Sequence, residues 1–297
     1  MKILVTGASG NIGQALSKNL IQAGHDVHQT DKVLGKQNEE IRTTQMDLAN
    51  LLDSMSCYRL VQGKDAVIHL GNWPVFIEHA HTAQQVYGDN TRINMNMFAA
   101  AGEAGVKKFL FASSIQVMHG DRHMNQRGEI PPSQLTSLPI SSLTPANTKN
   151  PYALSKLAGE QALAWASGRF SMQAVSLRLA WTETTLNDKS ISMHRGHTPT
   201  RWDKLDECFS YLAISDLESL VRAILQADLP GHRVYLPASL GTRLSMPIQE
   251  ILDTYFQGVP LTATIETLAE HGLVDTSLIT RETGWSPQFR LVERLPT

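Results

Sequence analysis

Tyr152 and Lys156 stand four residues apart in Asn150-Pro151-Tyr152-Ala153-Leu154-Ser155-Lys156-Leu157-Ala158-Gly159-Glu160, which reads after its proline as a helix rich in Ala and Leu. Residues at that spacing share one helical face, so a phenol and an ammonium can reach the same bound molecule. A phenol with a pKa of about 10 is a poor base at neutral pH. A neighbouring cation favours the phenolate and brings its proton within reach of catalysis. Alone, the pair is a common pattern on solvated helices. The start of the chain gives it meaning.

That start is Met1-Lys2-Ile3-Leu4-Val5-Thr6-Gly7-Ala8-Ser9-Gly10-Asn11-Ile12-Gly13. Ile3 to Val5 reads as a buried strand, and Ile12, Ala15, Leu16 and Leu20 carry a helical period. Between them, Gly7, Gly10 and Gly13 permit a tight turn. Through Ser9, Asn11 and Ile12 a pyrophosphate can approach the N–H groups that open the helix. A second strand, Asp26 to Thr30, ends at Asp31, about 20 residues past the glycines, where a carboxylate can accept from adenosine ribose hydroxyls. It would repel a 2′-phosphate, which favours NAD over NADP, while Lys32 beside it works the other way. Met46-Asp47-Leu48 brings a further carboxylate toward the adenine, or Asp47 caps the helix that follows.

A chain of 297 residues can bury a large core as one domain or one domain with a lobe. The net charge of −2 points to no nucleic-acid or membrane surface. Cys57 and Cys208 make no disulfide framework, and no apolar stretch is long enough to span a bilayer. The N-terminus begins a strand, not a signal peptide, so a cytoplasmic protein is expected. The histidine pairs His79/His81, His119/His123 and His194/His197 lack the partners of a metal site, and none is expected.

The elements that must position the pair alternate at α/β spacing. Ala66 to Leu70 reads as a strand ending at Gly71, Thr91 to Ala104 as a helix closed by Gly105, Lys108 to Ala112 as a strand running into Ser113 and Ser114, and Ala174 to Leu179 as another. Ligands of open parallel sheets sit beyond the C-terminal strand ends. Gly7, Asp31, Leu70, Gly71, Ser114 and Ala180 fall at that edge.

With these residues in view, the chain resembles the extended short-chain dehydrogenase/reductase superfamily in its NAD-dependent epimerase/dehydratase branch, nearly end to end. The resemblance rests on Thr6 to Gly13, Asp65 to Leu70, Gly105 to Ser114, Pro151 to Glu160, Asp275-Thr276-Ser277 and Gly284-Trp285-Ser286-Pro287. It implies a doubly wound parallel sheet of Rossmann type with a small mixed C-terminal substrate lobe. Residues 1–181 would form the NAD-binding core, rejoined by 206–237, with 182–205 and 238–297 as the lobe. It implies that Tyr152 is the acid/base, that Lys156 binds the nicotinamide ribose, and that Ser114 hydrogen-bonds the reacting oxygen. Asn90 resembles the Asn opening the family's Asn-Val-x-Gly-Thr helix, and as a helix N-cap it could do both. Asp47 and Leu48 join the cofactor contacts, and a homodimer built from the Asn90 and Tyr152 helices is implied.

Substrate signatures depart from the nucleotide-sugar pattern. Phe209 replaces the arginine before the run Ser210 to Asp216, Met118-His119-Gly120 replaces Tyr-Gly, and the strand to Leu179 lacks the usual proline. The chain looks more like uronate and related aldose dehydrogenases, which act on free sugars. Trp73 and Trp181 follow strand ends and could line a sugar pocket, or pack in the core. Thr182 to Lys204 is a long polar loop where Arg195 or Arg201 could meet a carboxylate, or remain solvated. Arg178, on a strand, is expected to be buried and paired. Gly120 to Thr148 reads as an excursion near the substrate mouth, and Pro247 to Phe256 and Ile265 to Gly272 as lobe helices. The expected activity is NAD-dependent oxidation of a sugar or sugar-like secondary alcohol. Alternatives are an epimerase or dehydratase with retained NAD, and a non-catalytic NAD-sensing regulator on the same fold.

Overall fold

The computed structural model describes residues 1–33, 46–74, 82–118, 122–183, 199 and 203–291. They form two compact units: 1–114 with 150–177 and 224–234, and 115–149 with 178–223 and 235–297.

The first unit is built on the sheet. Strands β1 (Lys2–Thr6), β2 (Asp26–Asp31), β3 (Met46–Leu48), β4 (Ala66–His69), β5 (Lys108–Ser114), β6 (Gln173–Leu179) and a last strand, β9 (His232–Tyr235), lie in the order β3-β2-β1-β4-β5-β6-β9. The β1/β2, β1/β4, β2/β3 and β4/β5 pairs are parallel. The order reverses between β1 and β4, which makes their C-terminal ends a topological switch point. Ile3, Leu4, Val5, Val67, Ile68, Phe109 and Phe111 are buried, as expected for strands covered on both faces.

Three helices of this unit begin on signals visible in their sequences. In α1 (Asn11–Gln22) Gly10 is an extended cap that offers no side-chain bond. In α2 (Ser54–Val61) the Asp53 carboxylate accepts from Met55 N and Ser56 N. Asp53, not Asp47, is therefore the cap; Asp47 lies on β3 and accepts from His28 Nε2 at 2.8 Å. Helix α3 (Ala83–Glu103) starts eight residues before the expected Thr91. Thr82 caps it through Gln85 N, so Asn90 lies inside the helix and is not its cap. Gly88 lies in this added stretch, and the helix carries it on an open face.

Helix α4 (Pro151–Phe170) carries the Tyr/Lys pair. Asn150 accepts from Ala153 N, Pro151 fits the first turn, and Ser171 in left-handed conformation ends the helix. Gly159 lets α4 approach the sheet: a Cβ there would lie 2.7 Å from Phe111 Cζ.

The second unit holds β7 (Trp181–Glu183) paired in parallel with β8 (Tyr211–Ala213), and helices α5 (Ile214–Gln226, continuing past the unit boundary), α6 (Ile248–Tyr255), α7 (Ile265–His271) and α8 (Ser277–Thr283). The buried carboxylate of Asp216 accepts from Ser239 Oγ at 2.6 Å and from the N–H groups of Gln288 and Phe289, tying α5 to two later loops. Arg178 is buried as expected and donates to Ser142 O. No helix among the described residues is long and apolar enough to cross a membrane.

Candidate active site

The edge of the first unit assembles Gly7, Asp31, Gly71, Ser114 and the α4 pair from five elements. Gly7 needs its glycine: its φ is +68°, and a Cβ would lie 2.8 Å from the Leu70 carbonyl carbon. Gly13 packs as closely, with a Cβ position 2.3 Å from Gly7 O. The first turn of α1 has no acidic residue and no side-chain cap. The N–H groups that open it suit a dinucleotide pyrophosphate, which this cradle fits in shape and polarity. Asp31 closes the turn by accepting from Ser9 N at 3.0 Å and from Lys32 N at 2.7 Å.

Lys156 is buried, and its Nζ donates to Ala112 O at 2.7 Å and to Asn72 Oδ1 at 2.8 Å. Both acceptors are neutral, and burial pushes the amine down to about 7. Nζ lies 5.4 Å from the Tyr152 ring centroid, so the helix does bring the pair together. Ser114 is buried at the end of β5, two residues beyond the carbonyl that holds Lys156.

Asn90 is fully buried, and its side chain contacts protein groups: Trp73 N at 2.7 Å, Trp73 O at 3.2 Å and Ser155 Oγ at 3.1 Å. Trp73 Nε1 donates to Asp89 Oδ2 at 2.8 Å, and Lys32 Nζ lies 3.1 Å from the centre of a Trp73 ring. Lys32, read as a counterweight to Asp31, thus rests against the indole. Sequence reasoning missed Asn72, Asn94 and His69, which are linked to Lys156 by hydrogen bonds. The signal available was His69, a polar residue buried at the end of an apolar strand, with Asn72 three residues beyond it.

In the second unit Trp181 is 47% exposed, so it is not core. The buried Arg243 guanidinium lies 5.4 Å from its ring centroid, and Asp203 Oδ1 is 3.5 Å from Arg243 Nη2. Arg243 N donates to the carbonyl of Phe209, so an arginine from another segment stands beside the residue that replaced one. The described part of the 120–148 excursion, 122–148, borders a cavity of about 220 Å³ lined by Met118, Gln134, Thr144, Asn147 and Asp206. His123 Nδ1 donates to Asp203 O at 2.9 Å. Arg195, Arg201, His79, His81, His119, His194 and His197 lie outside the described residues.

A family model described as the NAD dependent epimerase/dehydratase family matches residues 3–236. A uronate dehydrogenase of Pseudomonas syringae pv. tomato is 27% identical over 60% of this chain, and the chain spans 58% of that protein. A uronate dehydrogenase of Pseudomonas putida is 28% identical, with 80% of this chain and 76% of that protein covered. A UDP-glucose 4-epimerase structure from Bifidobacterium longum, in complex with NAD+ and UDP, superposes with a TM-score of 0.70 at 20% identity, covering 98% of this chain and 95% of that one.

Proposed function

The chain belongs to the NAD-dependent epimerase/dehydratase family, and on that premise we propose that it is an NAD-dependent dehydrogenase of a sugar or sugar-like secondary alcohol. Bound NAD would supply hydride acceptance at the nicotinamide. The glycine turn around Gly7, Ser9, Gly10, Asn11, Ile12 and Gly13 would hold its pyrophosphate, and Asp31 the adenosine ribose, which selects against NADP. Asp47, Leu48, Leu70 and Gly71 would border the cofactor. The first unit would take the cofactor.

The observation that carries this reading is Lys156: an ammonium buried against two neutral acceptors beside the Tyr152 ring. Lysine has three N–H donors, and two are engaged, which leaves one for a ribose hydroxyl. The lysine charge favours the Tyr152 phenolate, which takes the alcohol proton while the Ser114 hydroxyl steadies the reacting oxygen. Asn90 acts through its neighbours, holding the Trp73 backbone and Ser155. Trp181 with Arg243 and Asp203 offers an aromatic face beside donors and an acceptor, a set suited to sugar hydroxyls or a uronate carboxylate. The uronate dehydrogenases among its relatives support a free sugar acid as substrate.

Exposed Tyr87 and Met95 on α3 and Leu154 and Trp165 on α4 suit a homodimer through these helices, and a cytoplasmic location completes the reading. Free sugars, uronic acids, polyols and nucleotide sugars offered with NAD or NADP, and read by cofactor absorbance, test it. Net NADH formation on a free sugar supports the dehydrogenase. Turnover without net NADH, with NAD found in the purified protein by mass measurement, supports the epimerase that the family also contains.

A further inference from the structure

The amine of Lys156 ends a chain of hydrogen bonds, running through buried Thr6, His69 and Asn94 to half-buried Asn72, whose direction can be followed link by link. Gly71 N–H donates to Thr6 Oγ1 at 3.2 Å, and the Thr6 hydroxyl turns its own proton to His69 Nδ1 at 2.6 Å. His69 then carries its proton on Nε2 and donates to Asn94 Oδ1 at 3.1 Å. This tautomer is assigned from the network. A neutral ring suits the site, because burial first and the Lys156 charge second push His69 down to about 3. Asn72 Nδ2 donates to the same Asn94 oxygen at 2.9 Å and to Gly71 O at 3.1 Å. Both amide protons of Asn72 are thereby committed, so its Oδ1 faces Lys156 Nζ.

We infer that Asn72 is the positioning residue for Lys156, its amide locked in one orientation by Asn94 and, behind it, by His69 and Thr6. A freely rotating amide could present either its oxygen or its NH₂ group to the lysine; this one presents only an acceptor. Together with Ala112 O it fixes two of the three ammonium protons and so the direction of the third. The catalytic meaning of that direction rests on the dehydrogenase reading; the positioning itself does not. The titratable groups that face Nζ are Tyr152 from α4 and neutral His69 from β4. Glu160, one turn further along α4, accepts from Ser113 Oγ at 2.6 Å. Among the described residues no carboxylate contacts Nζ.

An acceptor that stabilises the ammonium must govern its titration, and two substitutions should move it in opposite directions. The test is a carbon NMR titration of the full chain labelled at the lysine ε-carbons, with Lys156 assigned from its loss in Lys156→Met. Asn72→Asp, of the same shape, puts an anion at hydrogen-bond distance and raises the Lys156 midpoint by about 1–3 pH units. Asn72→Ala removes an acceptor and lowers it. Thermal unfolding confirms that each variant is folded, and Asn72→Asp alone decides the matter if Asn72→Ala does not fold. A midpoint unchanged by Asn72→Asp, or shifted the same way by both variants, overturns the assignment. No substrate or turnover enters this measurement, so failure to find sugar oxidation leaves its outcome intact, and the reverse holds as well.

Discussion

Asn90 holds both backbone groups of Trp73 with one side chain: its Oδ1 accepts from Trp73 N at 2.7 Å and its Nδ2 donates to Trp73 O at 3.2 Å. The same Nδ2 donates to Ser155 Oγ on α4. One amide thus joins the loop after β4 to α3 and α4. Asn90→Ala strands the Trp73 N–H and C=O, which costs about 1–3 kcal/mol. Thermal unfolding should show a lower midpoint, and an unchanged midpoint would mean that water or a neighbour replaces the amide.

The glycine cradle makes a second prediction. A Cβ on Gly13 would stand 2.3 Å from Gly7 O and 2.7 Å from Ala8 Cα, both backbone atoms that cannot swing aside. Gly13→Ala should push α1 off the turn, destabilise the protein by about 1–3 kcal/mol and weaken NADH binding. Fluorescence titration with NADH measures the second effect, and native affinity in this variant would remove the turn from the cofactor site.

Stability should depend on pH through two buried groups. Lys156 titrates near 7 when folded against 10.5 when unfolded, so between those values the unfolded chain binds more protons. Stability therefore rises with pH across that window, by up to about 1.4 kcal/mol per pH unit, and the full penalty stands below about 7. His69, pushed from 6.5 down to about 3, stays neutral when folded and loses its contribution as pH falls through that lower range. Urea unfolding of the wild type and Lys156→Met from pH 7 to 10 checks the upper window. The wild type should gain stability relative to the variant, and parallel curves would contradict the lowering of the Lys156 pKa by burial.

At the proposed substrate end, Trp181 is half exposed beneath the Arg243 guanidinium. Trp181→Ala should raise KM for the sugar about tenfold with KM for NAD unchanged, the pattern of a lost substrate contact. A rise in KM for NAD instead would move Trp181 to the cofactor.

The strands and the glycine turn were legible because their signals are local: short apolar runs, glycines in phase, and Asn150-Pro151 opening α4. The early start of α3 was hidden by Gly88 and by the polar residues around Asn90. Strands β7 and β8 were unread because three residues carry no period, and only their pairing makes them a sheet. Asn72 and Asn94 were overlooked for a different reason. They lie 84 and 22 residues from their hydrogen-bond partners Lys156 and Asn72, so only the folded chain aligns them.

In the proposed reaction Tyr152 moves the proton in a net oxidation that reduces NAD. The most direct measurement is the rate of NADH accumulation on the best free sugar or uronic acid, comparing the wild type with Tyr152→Phe at equal NADH affinity. Stoichiometric NADH is expected from the wild type and a loss of about 10²–10⁴-fold in the variant. A Tyr152→Phe protein that oxidises the sugar at the wild-type rate would contradict it.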